Sequence, residues 1–487
     1  MLRSGDDYLK SLKDGRVVYV GKERIDDVTT HPAFRNAART VASIYDMKRA
    51  PERREEMSFE ANGDRHSIYY LRARNREDLA ARTNAHRVIA DATYGLFGRS
   101  PDYVASLVTG MSAKPEVFGP TKDNLLAHYR YMRDHDIFAA HAVIPPQSAR
   151  DPAFYQQANR PAPSCRVVRE EDDGVVVSGM KLLATGAIIG DEIWIGNILP
   201  LSLEAKAESI TFPLPCNAPG LSLWSRKPLE PTAPTEFDYP LTWRFDETDA
   251  MLVMNEVKVP WEKVIVHNDP KLSRELYITT PAHAYANHQT NVRFWSKLRL
   301  IVGLASKVTQ ATGAIQIQTV KDTLGLLASQ EAMIGGMVLG QIQAPDSWGE
   351  YCSINRRYMY GAMNWCADNY PTIIQTLREL CGGGAYQMPA DTSVFEDPEM
   401  AKTFTELWHT PQLDALPRFK LFRLAWDIVG SEFAGRHLLY ERFFGGATFI
   451  QRANSFREAD WKQFDAIVEE LMNSYSCAAE RDQAAAQ

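Results

Sequence analysis

The stretch Ala140-His141-Ala142-Val143-Ile144-Pro145-Pro146-Gln147-Ser148-Ala149-Arg150 separates two kinds of pattern, and the fold follows from what lies on each side of it. Upstream, apolar residues return at helical spacing over residues 78–97 and again over residues 122–138, where Leu125, Leu126, Tyr129 and Met132 share a face. Two consecutive prolines stop that pattern, because neither offers an N–H and each ring clashes with the turn before it. Downstream, over residues 164–267, the period shortens toward two in Val175-Val176-Val177, Ile193-Trp194-Ile195-Gly196-Asn197, Ile210-Thr211-Phe212 and Met251-Leu252-Val253-Met254. Proline and glycine punctuate these runs, which predicts an antiparallel barrel or sandwich. After Pro281 the helical period returns over residues 292–312, 314–342, 348–379 and 418–444, each long enough for a bundle helix. The expected class is α+β, with an N-terminal helical domain over residues 1–140, a middle antiparallel β-barrel over 141–275 and a C-terminal helical bundle over 276–487.

Composition narrows the function. A net charge of −7 over 487 residues argues against a nucleic-acid surface as the main business of the chain. No run approaches the ~18 apolar residues that a membrane span needs, and the first residues lack the apolar region of a signal peptide, so a cytoplasmic protein is expected. The six cysteines are scattered without a Cys-x-x-Cys pair, and none of the eleven histidines belongs to a His-Glu-x-x-His helix, so no metal site is expected. His283 and His288 are five residues apart and off one helical face. Neither a dinucleotide fingerprint nor a phosphate loop occurs, which leaves no visible place for a nicotinamide. The alanine- and glutamine-rich residues 478–487 are expected to fray.

Gly98-Arg99-Ser100-Pro101-Asp102-Tyr103 puts a cation, a helix start and a phenol hydroxyl within one turn. Ser100 is the expected N-cap and Pro101 the first helical residue, so free N–H groups and the Arg99 guanidinium make a place for an anion. A surface arginine and a buried tyrosine at a helix start is the plainer alternative. For His141 the plainer alternative is a satisfied structural group. The glycines of Leu380-Cys381-Gly382-Gly383-Gly384-Ala385-Tyr386 would suit either a cofactor contact or a helix end.

Together, residues 99–103, residues 141–150, Gly179-Met180-Lys181-Leu182-Leu183-Ala184-Thr185-Gly186, residues 380–389 and residues 422–446 resemble the 4-hydroxyphenylacetate 3-monooxygenase oxygenase component family. These matches keep one order from about residue 5 to about residue 460. The resemblance implies an acyl-CoA dehydrogenase-like architecture with flavin between barrel and bundle. It implies an FADH2-dependent oxygenase that hydroxylates a phenol ortho or para to its hydroxyl with O2, through a flavin hydroperoxide. The FADH2 would come from a separate NAD(P)H:flavin reductase, by diffusion, and the assembly would be a homotetramer or homodimer. Arg99 and Tyr103 would hold the phenolic oxygen, and His141 would contact both substrate and flavin. His288, in Asn287-His288-Gln289-Thr290-Asn291, looks like the histidine that halophenol-oxidising relatives use as a base, so either histidine could take the proton. Gly196 and Asn197 would meet the substrate. FAD would be held by His141, Ala142, Val143, Gln147, Ser148, Ala149, Arg150 and Thr185, and by Phe444, Gly445 and Gly446. Three rivals remain: an acyl-CoA dehydrogenase, a 4-hydroxybutyryl-CoA dehydratase, whose cluster needs cysteines where Arg99 and Tyr103 stand, and a non-catalytic binding protein.

Overall fold

The computed structural model describes residues 2–160 and 162–475. The expected fraying of residues 478–487 therefore lies outside the described residues, as does Cys477. The remaining five cysteines are free and buried.

Four principal helices build the first third: α1 (Arg35–Arg49), α2 (Arg76–Ala92), α3 (Asp102–Ser112) and α4 (Lys122–His135). The Asn75 side chain accepts from the Asp78 N–H to cap α2, and Glu77 and Asp78 suit the positive end of its dipole. Every residue of α3 is buried. Its sequence explains this, since Asp102 is its single charge and the rest is apolar or small.

Nine strands follow the period-two reading and extend it. They are β1 (Val18–Val20), β2 (Glu23–Ile25), β3 (Ala139–Ala142), β4 (Arg166–Glu171), β5 (Gly174–Thr185), β6 (Glu192–Ile195), β7 (Phe212–Pro215), β8 (Leu221–Ser225) and β9 (Asp249–Pro260). The expected closed antiparallel barrel is corrected here. An open six-stranded sheet runs β2-β1-β8-β9-β5-β4, and a separate three-stranded sheet runs β3-β6-β7. Each contains one parallel pair, β1 with β8 and β3 with β6, because strands from the N-terminal third insert into the middle of the chain. Both edges of the larger sheet carry charge, Glu23 and Arg24 on β2 and Arg169 and Glu170 on β4, which favours solvent over a closing partner.

The C-terminal part adds α6 (Ala282–Ala311), α7 (Gln318–Gln343), α8 (Arg356–Cys381), α9 (Ala415–Val429), α10 (Glu432–Phe443), α11 (Thr448–Glu458) and α12 (Trp461–Asn473), with a short α5 (Pro240–Phe245) before β9. The single helix expected over residues 418–444 is two. The Gly430 N–H closes the first helix on the Trp426 carbonyl, and the Ser431 hydroxyl accepts from the Ala434 N–H to start the second. Residues 346–353 form a hairpin instead of the first turns of the helix expected from 348. One apolar core runs from the sheet (Val175, Leu223, Leu252) into the bundle (Ile301, Ile374, Phe422). A second core packs Tyr103 and Val108 of α3 against Trp194 and Ala286. The Arg99 turn sits beside that second core, at the start of α3. Among the described residues no helix is long and apolar enough to cross a membrane.

Candidate active site

The turn before α3 departs from expectation in one respect. Ser100 does not cap the helix: its hydroxyl is bonded 2.5 Å from Asp102 Oδ1, and Pro101 occupies the cap position without a side-chain bond. Proline at residue 101 leaves no N–H there, and two N–H groups of the turn, those of Gly98 and Arg99, find their partner across the fold. Both donate to one carboxylate, Gly98 to Glu247 Oε1 at 2.7 Å and Arg99 to Oε2 at 2.9 Å. The anion received by the backbone is thus the protein's own. Arg436 completes the arrangement, donating to Glu247 Oε1 at 3.0 Å and to Asp249 Oδ1 at 2.9 Å. Burial alone would push the Asp249 carboxyl up, but Arg436 and Arg226 hold it well below the usual carboxylate range.

With its backbone fixed, Arg99 lays its guanidinium over Tyr103, Cζ lying 3.8 Å from the ring centroid. Nη2 donates to the Phe444 carbonyl at 3.1 Å, while Nη1 is buried without a partner among the described residues. Tyr440 and Phe444 face the same guanidinium at 5.7 and 5.9 Å. His141, on β3, stands with its ring 5.4 Å from that of Tyr103, and its Nδ1 is likewise buried and unpartnered. Burial, and then the Arg99 charge, push its pKa down to about 3, so the imidazole is neutral. Arg99, Tyr103 and His141 therefore converge.

The other sequence-predicted residues divide into two groups. Ala142 and Val143 are buried behind His141, and the Ala142 carbonyl accepts from the Gly196 N–H at 3.2 Å. Gly196 is a close approach, because a Cβ there would meet Tyr277 Oη at 2.5 Å. Gln147, Ser148 and Arg150 lie exposed in the short turn Gln147–Arg150, with Ala149 half-buried among them. Phe444, Gly445 and Gly446 are half-buried at the end of α10, and Gly446 has φ +91°. Asn197 and Thr185 are engaged with protein. Asn197 accepts from Lys181 Nζ and donates to the Glu208 carbonyl and Ser273 Oγ, and the Thr185 hydroxyl donates to Asp249 at 2.5 Å.

His288 stands apart from the Arg99 cluster. Its Nε2 is 2.8 Å from Thr83 Oγ1 and its Nδ1 2.7 Å from Gln341 Oε1, so neither nitrogen is free to take a substrate proton. The histidine of α6 that feels the Arg99 charge is His283, five residues earlier and about 140° round the helix. It is half-buried, with Nδ1 2.6 Å from Tyr360 Oη. Burial, then Arg457 and Arg99, push its pKa down to about 4. The spacing of the two histidines signalled that only one could face the Arg99 cluster, but not which. Glu247 and Arg436 gave no sequence signal, since their meeting depends on how the sheet docks on the bundle.

Two buried unpartnered nitrogens, an exposed polar turn at 147–150 and a backbone-thin segment at 444–446 fit a flavin held beside a phenol. A family model described as "4-hydroxyphenylacetate 3-hydroxylase N terminal" matches residues 4–266, and its C-terminal counterpart matches residues 273–473. The chain belongs to the 4-hydroxyphenylacetate 3-hydroxylase family. Within that family's range it is 32% identical to the pyoverdin chromophore biosynthetic protein PvcC of Pseudomonas aeruginosa, over 97% of this chain and 96% of that one. It is 33% identical to the oxygenase component of a Rhodococcus 4-nitrophenol 2-monooxygenase, over 91% and 86%. A crystal structure of the oxygenase component (HpaB) of 4-hydroxyphenylacetate 3-monooxygenase, complexed with FAD and 4-hydroxyphenylacetate, superposes with a TM-score of 0.91 at 29% identity, covering 97% of this chain and 98% of that one.

Proposed function

We propose that this chain is the oxygenase component of a two-component flavin monooxygenase, hydroxylating a phenol ortho or para to its hydroxyl with O2 and with FADH2 supplied by a separate NAD(P)H:flavin reductase. The observation that carries the reading is the meeting of Arg99, Tyr103 and His141, with one buried nitrogen left over on both the arginine and the histidine. FAD, as FADH2, supplies the reducing equivalents that make dioxygen reactive toward the ring.

The chain's own residues prepare the phenol. Arg99 Nη1 donates to the phenolic oxygen and favours its ionised form by a charge-assisted bond. Tyr103 fixes the plane of the guanidinium and packs against the substrate ring. His141 accepts the phenolic proton. In the absence of substrate, burial and Arg99 both disfavour its imidazolium; as the proton moves, the phenolate formed between Arg99 and His141 offsets the Arg99 charge and stabilises the imidazolium formed with it. His283, oriented by Tyr360, takes the place given above to His288 as the second proton acceptor.

The turn at Gln147, Ser148, Ala149 and Arg150, together with Thr185 and residues 444–446, would hold the flavin. The Thr185 proton is committed to Asp249, leaving its lone pairs to accept from an N–H. Gly196 and Asn197 would meet the substrate ring. We further propose the three-domain division at 140 and 275, a cytoplasmic location, reduced flavin reaching the site by diffusion and a homotetrameric assembly.

The test is a single turnover of anaerobic protein and FADH2 mixed with oxygen and a panel of phenols, followed by product analysis. Hydroxylated product from at least one phenol is expected. Oxidation of the flavin with hydrogen peroxide as the sole oxygen product, for every phenol tried, would overturn the reading.

A further inference from the structure

Beside Gly196 stand polar groups that take no part in preparing the phenolic oxygen. His141 and Trp194 are register partners on β3 and β6, so their side chains leave the same face of the three-stranded sheet, the face that meets Tyr103. Tyr103, Trp194 and Tyr277 pack in one core. The Trp194 indole N–H donates to Tyr277 Oη at 3.3 Å, and no hydrogen bond among the described residues uses the Tyr277 proton. Burial raises the Tyr277 pKa well above its ordinary value, so the hydroxyl stays protonated. Thr211, just before β7, is fully buried, and its Oγ1 has no partner among the described residues. A Cβ at Gly196 would lie 2.5 Å from Tyr277 Oη, 3.4 Å from Trp194 Nε1 and 3.5 Å from Thr211 Oγ1, so the three polar atoms gather around one point. Two of them are buried hydroxyls with a proton to give, which a folded chain leaves unused only at a cost.

Asn197, the polar side chain that the sequence offered to the substrate, is not available for this work. Both of its amide N–H groups are spent, on the Glu208 carbonyl at 2.9 Å and on Ser273 Oγ at 3.0 Å, and its Oδ1 accepts from Lys181 Nζ at 2.7 Å. Gly196 has no side chain, and its carbonyl accepts a second bond from Lys181 Nζ, also at 2.7 Å. Lys181 is buried and bonds only these two neutral acceptors. Burial lowers its pKa to about 8, which keeps it mostly charged at neutral pH. This end of the site therefore combines two free donors with an ammonium that no carboxylate offsets, an environment that attracts an acceptor and repels a cation.

We propose that Tyr277 and Thr211 determine specificity, receiving between them an oxygen acceptor on the ring substituent of the phenol. The substrate is then a phenol that carries a carboxylate or a carbonyl, and not an amine. The inference rests on the oxygenase reading and goes beyond it in naming the groups that select among phenols.

Equilibrium dialysis under nitrogen, with FADH2 present, compares each acceptor phenol with an alkylphenol of the same shape. The pairs are 4-hydroxyacetophenone with 4-isopropylphenol, for a neutral acceptor, and 4-hydroxyphenylacetate with 4-isobutylphenol, for a charged one. The affinity ratio within each pair is measured in the unaltered chain, in Tyr277→Phe and in Thr211→Val. In the unaltered chain at least one acceptor phenol should bind more tightly than its alkyl partner, and each substitution should cut that ratio about fivefold or more. The amine 4-(2-aminoethyl)phenol should bind at least about tenfold more weakly than the favoured acceptor phenol. A ratio that either substitution leaves within about threefold of the unaltered value would overturn the inference, whatever happens to the separate affinities. Alkylphenols that still bind in that case would leave the oxygenase reading standing, whereas binding of no phenol at all would remove both. Should one variant not fold, the other decides.

Discussion

Replacing Glu247 with glutamine should loosen the Arg99 turn more than any other single isosteric change. The carboxylate is fully buried and accepts three donors: the Gly98 N–H, the Arg99 N–H and the Arg436 guanidinium. A glutamine offers one acceptor oxygen, so whichever way it turns, its amide nitrogen faces at least one donor. A hydrogen bond to a charged group contributes about 1.5–3 kcal/mol, and removing one partner of a buried ion pair costs about 3–5 kcal/mol. Arg436 keeps Asp249, so the lower end, about 3 kcal/mol, is expected here. The change falls on local opening, and is read by hydrogen exchange of a peptide spanning residues 97–104. Exchange should quicken about a hundredfold or more in E247Q, while the core strands β5 and β9 stay protected. Exchange within threefold of the unaltered protein would refute the view that Glu247 anchors Arg99 to the sheet.

Glu441 lies between Arg293 and Lys297, both 2.7 Å or closer; burial alone would raise its pKa, but the two cations hold it down. E441Q should therefore destabilise the bundle by about 3–5 kcal/mol, measured as a lowered denaturation midpoint at neutral pH. Acid should destabilise the protein through His288, whose pKa burial pushes to about 3 in the fold against about 6.5 unfolded. Its contribution is complete above pH 6.5 and is lost as the pH falls toward 3, because the unfolded chain binds the proton that the fold excludes. His288→Asn should flatten the stability slope by one proton between pH 6 and 4. Gly196→Ala should weaken phenol binding by at least about tenfold, since its Cβ would meet Tyr277 Oη at 2.5 Å. Adding Tyr277→Phe should restore part of that affinity; equal affinities in all three proteins would show that the approach does not shape the pocket.

Much of the fold was legible because period alone distinguishes helix from strand. Pro145 and Pro146 separate the helical third from the sheets, and α6, α7 and α8 appear where apolar residues repeat at 3.6. Strand closure was not legible. β1, β2 and β3 are three or four residues long, too short for period to register, yet they complete both sheets. In the site, Arg99, Tyr103 and His141 drew attention by residue type, but only the family resemblance gave them roles over the plainer structural readings. His288 and His283 could not be ranked, because the rotation of α6 is set by packing on α3 and α8, not by its own residues. Glu247 and Arg436 lie 189 residues apart, and nothing local in either segment announces their ion pair.

The central claim is that the Arg99 guanidinium stabilises a phenolate in the cleft beside His141. It is tested by titrating the absorbance of protein-bound 4-nitrophenol against pH in the unaltered protein and in Arg99→Gln. One charge at about 4 Å, at an effective dielectric of about 20, contributes about 4 kcal/mol, or two to three pKa units after partial solvation. The bound phenol should ionise at least about two units lower in the unaltered protein than in the variant. Equal ionisation of the bound probe in both proteins would contradict the account.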